Sequence, residues 1–536
     1  MRGTKYIFHK DSKGDLNSLF EMEQDIDQYF SRSPIFKLSR KKALREVLTI
    51  HSELTFMHVI GGTKAISDFS FDLDDRNNEV MIQESLKWAL RLIHKFCKEE
   101  SEGKVINPSR KEIMDFLVHC YKFDLFKNML FSAGKGGYII NLNDSKITFI
   151  SSKEEGDFLA YNAWRQALRE REQFNSIKNN SREALQEVHL NEFSMPEEWN
   201  LGSYTLGQFK EVSMRLDKLI STWFLNHHKH LEASLVIGKY KATEVVKINH
   251  KNWWIDQLVR LTSLHPTIVE NIIDDMTYEN FNNNDPSYQF FIPLSNGELA
   301  LPVGFAANFV RYERNLMALL PKRNQKLFSQ LTNDCENQQI NIIKESLKDF
   351  NIVTLEKQTK AQDKRKGIDL MVLDPESLEL LVIELKWRVP PSSTREMYTT
   401  DEAVMKGLQQ IQEAENWVNV NLNTVLSDYL GKEYFHLNPS HQSYCVVVNE
   451  NIGTGDHCNS SVPVITLDHL IELLRKGIKS TINTLENGEH RVPREYINIK
   501  PISFDLFGYR IEFPTTELLG TWLDKTLPEK RTRWFH

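Results

Sequence analysis

Nothing in this chain reads as a membrane span: no apolar run reaches the roughly 20 residues that a helix needs to cross a bilayer. The opening MRGTKYIFHKDSKGD also lacks the apolar stretch of a secretory signal, so a cytoplasmic protein is expected. Cysteine is scarce. Cys97, Cys120, Cys335, Cys445 and Cys458 are scattered and odd in number, which fits reduced thiols better than a disulfide framework or a zinc cage. Positive charge is not in excess either. A net charge of −7 argues against nonspecific coating of nucleic acid and leaves room for a local basic channel. SAGKGGY at 132–138 has glycines and Lys135 but not the full G-x-x-x-x-G-K-[ST] phosphate loop, and no internal repeat stands out.

What is present is an ordinary globular composition, 40% hydrophobic and 26% charged over 536 residues, enough for about three or four domains. Residues 1–330 read as a mainly α-helical recognition or regulatory region, divisible into two subdomains. Apolar residues recur there at three and four spacing, as in EVMIQESLKWALRLIHKFCKEE and KEIMDFLVHCYKFDLFKNML. GGYIINL and KITFISS, around Asn143-Asp144, predict a hairpin. A boundary is expected near 321–335, a polar stretch before a helical period at Ile340, Ile343, Leu347 and Phe350. Residues 331–480 then alternate helix and strand, which predicts an α/β domain with a mixed central sheet flanked by helices. Residues 481–536 read as a β-rich appendage.

The chemistry concentrates in one predicted hairpin, IDLMVLD-PES-LELLVIELKWR. Asp374-Pro375-Glu376-Ser377 suits a type I turn. Pairing Asp374 with Ser377 would set Asp369 opposite Val382 and diagonal to Glu384, at about 7–8 Å on one face. Side-chain alternation puts Lys386 on that face as well, with Ile383 and Leu385 behind it. Two carboxylates and an ammonium amid apolar strands need an ion or solvent. A hard divalent cation, Mg²⁺ or Mn²⁺, suits such oxygen donors, and a phosphodiester is the substrate that such a cation and Lys386 would act on.

KGID at 366–369 and IELKW at 383–387 form an intact D-X14-E-X-K pattern. This resembles the PD-(D/E)XK, or restriction-endonuclease-like, nuclease superfamily, and the glycine before the Asp is similar to its Mrr-like branch. The resemblance covers about 330–480. It implies metal binding by Asp369 and Glu384 and a catalytic role for Lys386. A further metal-binding acid from the first helix is implied, with Glu336 preferred over Glu345 by helical face. A residue from the later helix is also implied near the site, Gln409 among Lys406, Gln410 and Gln412. The implied protein is a Mg²⁺-dependent DNA endonuclease in bacterial anti-phage defence or restriction. Its expected partners are double-stranded DNA, a second copy of the chain or a partner defence protein.

Plainer explanations compete. The three charged residues would also suit a solvated edge hairpin with a cross-strand ion pair, and the glutamines an amphipathic helix surface. His227, His228 and His230 in FLNHHKH read as a solvated helix end, and Trp253-Trp254 as core. The basic stretches 37–46, 321–326 and 360–367 are ordinary solvated faces, or phosphate contacts for the last of them. A DNA repair, recombination or transposon-end nuclease and a non-cleaving nucleic-acid-binding scaffold remain as alternatives.

Overall fold

The computed structural model describes residues 6–61, 75–100, 107–151, 156–178, 195–234, 245–279, 285–356, 368–425, 439, 441–455 and 460–526. The chain starts with β1 (Ile7–Phe8), α1 (Leu16–Ser31), α2 (Arg40–Gly61), α3 (Asp75–Phe96), α4 (Arg110–Gly134), β2 (Tyr138–Asn143), β3 (Lys146–Ser151), α5 (Gly156–Lys178) and α6 (Leu206–Ser234). It continues through β4 (Val246–His250), α7 (Lys251–Thr262), α8 (Pro266–Asp275), β5 (Ile292–Pro293), β6 (Glu298–Pro302), α9 (Val303–Phe309), α10 (Tyr312–Arg323) and α11 (Gln325–Leu347). The remainder is β7 (Val353–Glu356), β8 (Leu370–Asp374), β9 (Glu379–Lys386), α12 (Thr394–Val425), β10 (His441–Val448), β11 (Val464–Thr466), α13 (Leu467–Leu474), α14 (Ile478–Glu486), β12 (Ile497–Leu506), β13 (Tyr509–Leu518) and α15 (Gly520–Thr526). No helix among the described residues is long and apolar enough to cross a membrane.

Helices and mixed sheets together make the fold. One five-stranded sheet has the order β1-β2-β3-β13-β12, a second β11-β10-β9-β8-β7, and a three-stranded sheet β4-β6-β5. The β2–β3 hairpin turns at Asp144-Ser145, where Asp144 takes a φ of 47°, a left-handed conformation that a short polar side chain tolerates. Strands β12 and β13, expected as an appendage, instead complete the first sheet, with β13 parallel to β3.

Two hydrophobic cores result. The first gathers α1–α4, α6–α10, the start of α11 and Leu506, Ile511 and Phe513. The second gathers the end of α11, β8–β11 and α12–α14, and it draws Phe158, Ala160, Tyr161 and Trp164 from α5. Arg165 of α5, buried, holds Asp468 at 2.8 Å and Glu472 at 2.7 Å, anchoring that helix across the expected boundary at 330. The stretch 321–335 is helical: α10 ends at Arg323 and α11 starts at Gln325, with the Asn324 side chain accepting from the Leu327 amide at 3.1 Å. Phe328, Leu331 and Cys335 are buried on that first part, so the polar residues there are one face of a helix and not a linker.

Candidate functional site

Strand β9 is the middle strand of its sheet, antiparallel to β8 and parallel to β10. Both faces of such a strand are covered, which explains the nearly unbroken apolar runs in β8 and β9. Against that background Glu384 is 1% exposed and Asp369 8%. An edge hairpin with a solvated charged face is therefore excluded.

The register differs from the one expected. Asp374 pairs with Glu379 and Leu370 with Ile383, because the loop spans 375–378 and Leu378 takes a φ of 56°. Asp374 stabilises this wider turn by accepting from the Glu376 amide at 2.9 Å and the Ser377 hydroxyl at 2.7 Å. The shift is two residues, so the face is unchanged. Extending that register by one residue sets Asp369 level with Glu384 instead of diagonal to it.

Asp369 lies just before β8 and its Oδ2 accepts from the Leu385 amide at 2.8 Å. Its carboxylate thereby takes the position a ladder carbonyl would fill and is held rigidly beside β9. Two residues along from Glu384, Lys386 donates from Nζ to Glu384 Oε1 and to its neighbour's carbonyl, that of Leu385, at 3.0 Å. Asp369, Glu384 and Lys386 are thus brought together at the carboxyl end of β9, on the edge where the parallel strands β10 and β11 also end. Open α/β sheets bind ligands on that edge.

Glu336 reaches the same end of the strand. Its Oε1 accepts from the Trp387 amide at 3.4 Å, whereas Glu345 is exposed and pairs with Lys348. Arg388 follows, its backbone tied to Asn449 by two reciprocal bonds of 2.8 Å. Burial lowers the Arg388 pKa, with Glu336 and Glu402 opposing. Glu402 in turn pairs with Lys135 at 3.2 Å.

Helix α12 covers the Glu384–Lys386 face. A Cβ at Gly407 would stand 3.0 Å from Val446 Cγ1 and 3.4 Å from Lys386 Cε, so the absence of a side chain lets the helix close over the lysine stem. A glycine inside a helical period is a sequence signal of close approach, and one that the motif had overshadowed. Gly407→Val should cost about 1–3 kcal/mol through overpacking and displace Lys386. Urea unfolding measures the first; an unchanged midpoint would refute this account of the contact.

Gln409 is not gathered into the site. It is exposed and sits 3.4 Å from Glu413, because it lies about 200° around the helix from Gly407. Gln410, only about 60° around the helix from Gly407, is half-buried with its carbonyl oxygen shielded from solvent. Lys406 and Gln412 are exposed.

Two of the features set aside as structural depart from that reading: His227 is buried inside α6 and not part of a solvated helix end, and Trp253 is 37% exposed and not core. His227 is buried against Phe56, and the side chains of His228 and His230 lie outside the described residues. Trp254 is buried between Trp223 and Phe291. Arg40 pairs with Glu99, Lys41 with Glu298 and Arg323 with Asp275, so these two basic stretches spend charge internally. The stretch 360–367 and Cys458 lie outside the described residues; the other four cysteines are buried.

The donor set is all carboxylate oxygen, which suits Mg²⁺ or Mn²⁺ and not a soft metal. Among the described residues no group of three or more His, Cys, Asp or Glu side chains is drawn together as a metal cage. Mg²⁺ is commonly held by one or two carboxylates plus waters, so Asp369 and Glu384 are the residues that could serve as its protein ligands.

No family model matches the chain, and neither a curated protein nor a solved structure matches it.

Proposed function

We propose that this chain is a metal-dependent DNA endonuclease of the PD-(D/E)XK type, with the nuclease domain at 331–480 and a helical recognition or regulatory region before it. The observation that carries this is a buried carboxylate and an ammonium on the middle strand of a sheet, with a second carboxylate pinned beside them. Such pairs are poor stabilisers: apolar replacements of similar volume are often neutral or better. Chemistry is the better reason to keep them. Support also comes from the order of elements, helix α11, strand β7, hairpin β8–β9, helix α12, strand β10.

Asp369 and Glu384 would hold the ion. When bound, Mg²⁺ would polarise the phosphodiester and acidify a water. The Leu385 amide keeps Asp369 oriented. Lys386 places an ammonium where negative charge develops on the phosphorus oxygens, and the covering helix α12 keeps that charge in a low-dielectric setting. Double-stranded DNA as substrate, a cytoplasmic setting and a role in defence or restriction belong to the same proposal.

The test is direct. Full-length protein incubated with supercoiled plasmid, linear duplex, single-stranded DNA and RNA should cut duplex DNA with Mg²⁺ or Mn²⁺ and stop with EDTA. Binding of DNA with no cleavage under any metal would overturn it in favour of a scaffold.

A further inference from the structure

Strand β9 ends where the two cores meet: Leu385 is buried in the second and Trp387 in the first. Its path from Lys386 into α12 is therefore set in part from outside the nuclease domain, and the residue that meets that path at Pro390 is Arg314. Arg314 is 2% exposed. Its Nε and Nη2 donate to the Pro390 carbonyl at 3.0 and 2.7 Å, and Nη2 also donates to Glu396 Oε2 at 2.9 Å. The guanidinium stacks over the Tyr288 ring at 5.1 Å. The Tyr288 hydroxyl bonds Glu396 and lies 2.8 Å from the Ser392 hydroxyl, and Glu396 accepts from the Ser392 amide at 2.8 Å. Next to Arg314, Glu313 is buried and meets Lys210 of α6 at 3.3 Å.

We infer that Arg314 is a positioning residue for the cleavage site: from the helical region, it fixes the start of α12 and so the seating of Gly407 on Lys386. The inference rests on the nuclease reading for its consequence in catalysis. Gly407 lies 11 residues beyond Glu396, about 16 Å along the helix, so a tilt of about 10° at the clamp moves Gly407 by roughly 3 Å. A displacement of about 1 Å at a catalytic group can cost 10²-fold. Adjacent on α10, Glu313 and Arg314 make the helix a link between α6 and the site, so a ligand that shifts α6 has a physical route to the lysine.

Lysine cannot reproduce the planar fork that serves one carbonyl and one carboxylate together, so Arg314→Lys keeps the charge and loses the geometry. Tyr288→Phe removes only a hydroxyl from the clamp and keeps the ring, which guards against loss of fold. In full-length protein, Arg314→Lys should lower kcat for duplex DNA about 10- to 100-fold with KM changed less than about 3-fold, and Tyr288→Phe should fall between it and wild type. Amide hydrogen exchange should accelerate at 391–407 and stay unchanged in α13 and α14, a pattern that general destabilisation does not give. Unchanged exchange at 391–407, or kcat within about 2-fold of wild type for both variants, overturns the inference. Failure of the wild type to cut would instead overturn the nuclease reading, while the exchange data would still decide whether Arg314 anchors α12.

Discussion

Lys386→Met should lower metal-dependent cleavage by roughly 10²–10³-fold, the loss seen when a donor to developing negative charge is removed. It should also destabilise the protein, because Glu384 would remain buried without the Lys386 ammonium. Breaking a buried pair from one side costs roughly 3–5 kcal/mol. The two losses have different remedies. A divalent cation can stand in for the ammonium as a partner to Glu384, so millimolar Mg²⁺ should raise the variant's melting temperature more than the wild type's, without restoring cleavage. Glu384→Gln reverses this: cleavage is lost, and Mg²⁺ should no longer stabilise. Calorimetry with and without Mg²⁺ beside a plasmid assay separates the two effects. Cleavage by Lys386→Met at the wild-type rate would remove the lysine from the chemistry.

Acid should destabilise the protein well before its carboxylates titrate generally. Burial holds His51 and His490 down at about 4 and His469 at about 3, with the Arg165 charge adding to the last, against an ordinary 6.5. Each stays neutral in the folded chain while the unfolded chain takes up a proton below 6.5. Their contribution is therefore complete above pH 6.5 and lost as pH falls toward the folded values, at about 1.4 kcal/mol per pH unit for each histidine. Glu84 acts in the opposite sense. Burial raises it to about 7, with Asp124 and Asp285 adding and Lys87 opposing, so its contribution is present below 4.5 and lost as pH rises through 7. Three protons against one leave a net of two between pH 4.5 and 6.5, a fall of roughly 3 kcal/mol per pH unit. Urea unfolding between pH 7 and pH 5 measures this. A flat midpoint would contradict it, and His469→Gln should reduce the slope by about half if it holds.

How much of this was legible depended on the range of the interaction. Alternation along a strand is local, so placing Glu384 and Lys386 on one face needed only the spacing of the residues. The register needed the turn, and Leu378 in a left-handed conformation is not a choice that a leucine advertises. The error of two residues preserved the face and concealed that Asp369 binds the Leu385 amide of β9. On α12 the margin is finer: each residue turns the helix by about 100°, and Gln409 and Gln410 sit on different sides of the boundary with solvent. Arg314, the entry of α5 into the second core and the pairing of β13 with β3 join residues far apart in the chain. No periodicity marks such contacts, so only the folded chain reveals them.

That last pairing bears on the order in which the molecule assembles. The sheet begun by residues 138–151 is completed by residues 509–518, and closing so long a loop makes the step late and slow. On a ribosome the charged strand near 384 emerges long before that closure. The sheet that carries this strand, β7 to β11, has all its residues by Thr466, so it can pair during synthesis while the first sheet still waits for β13.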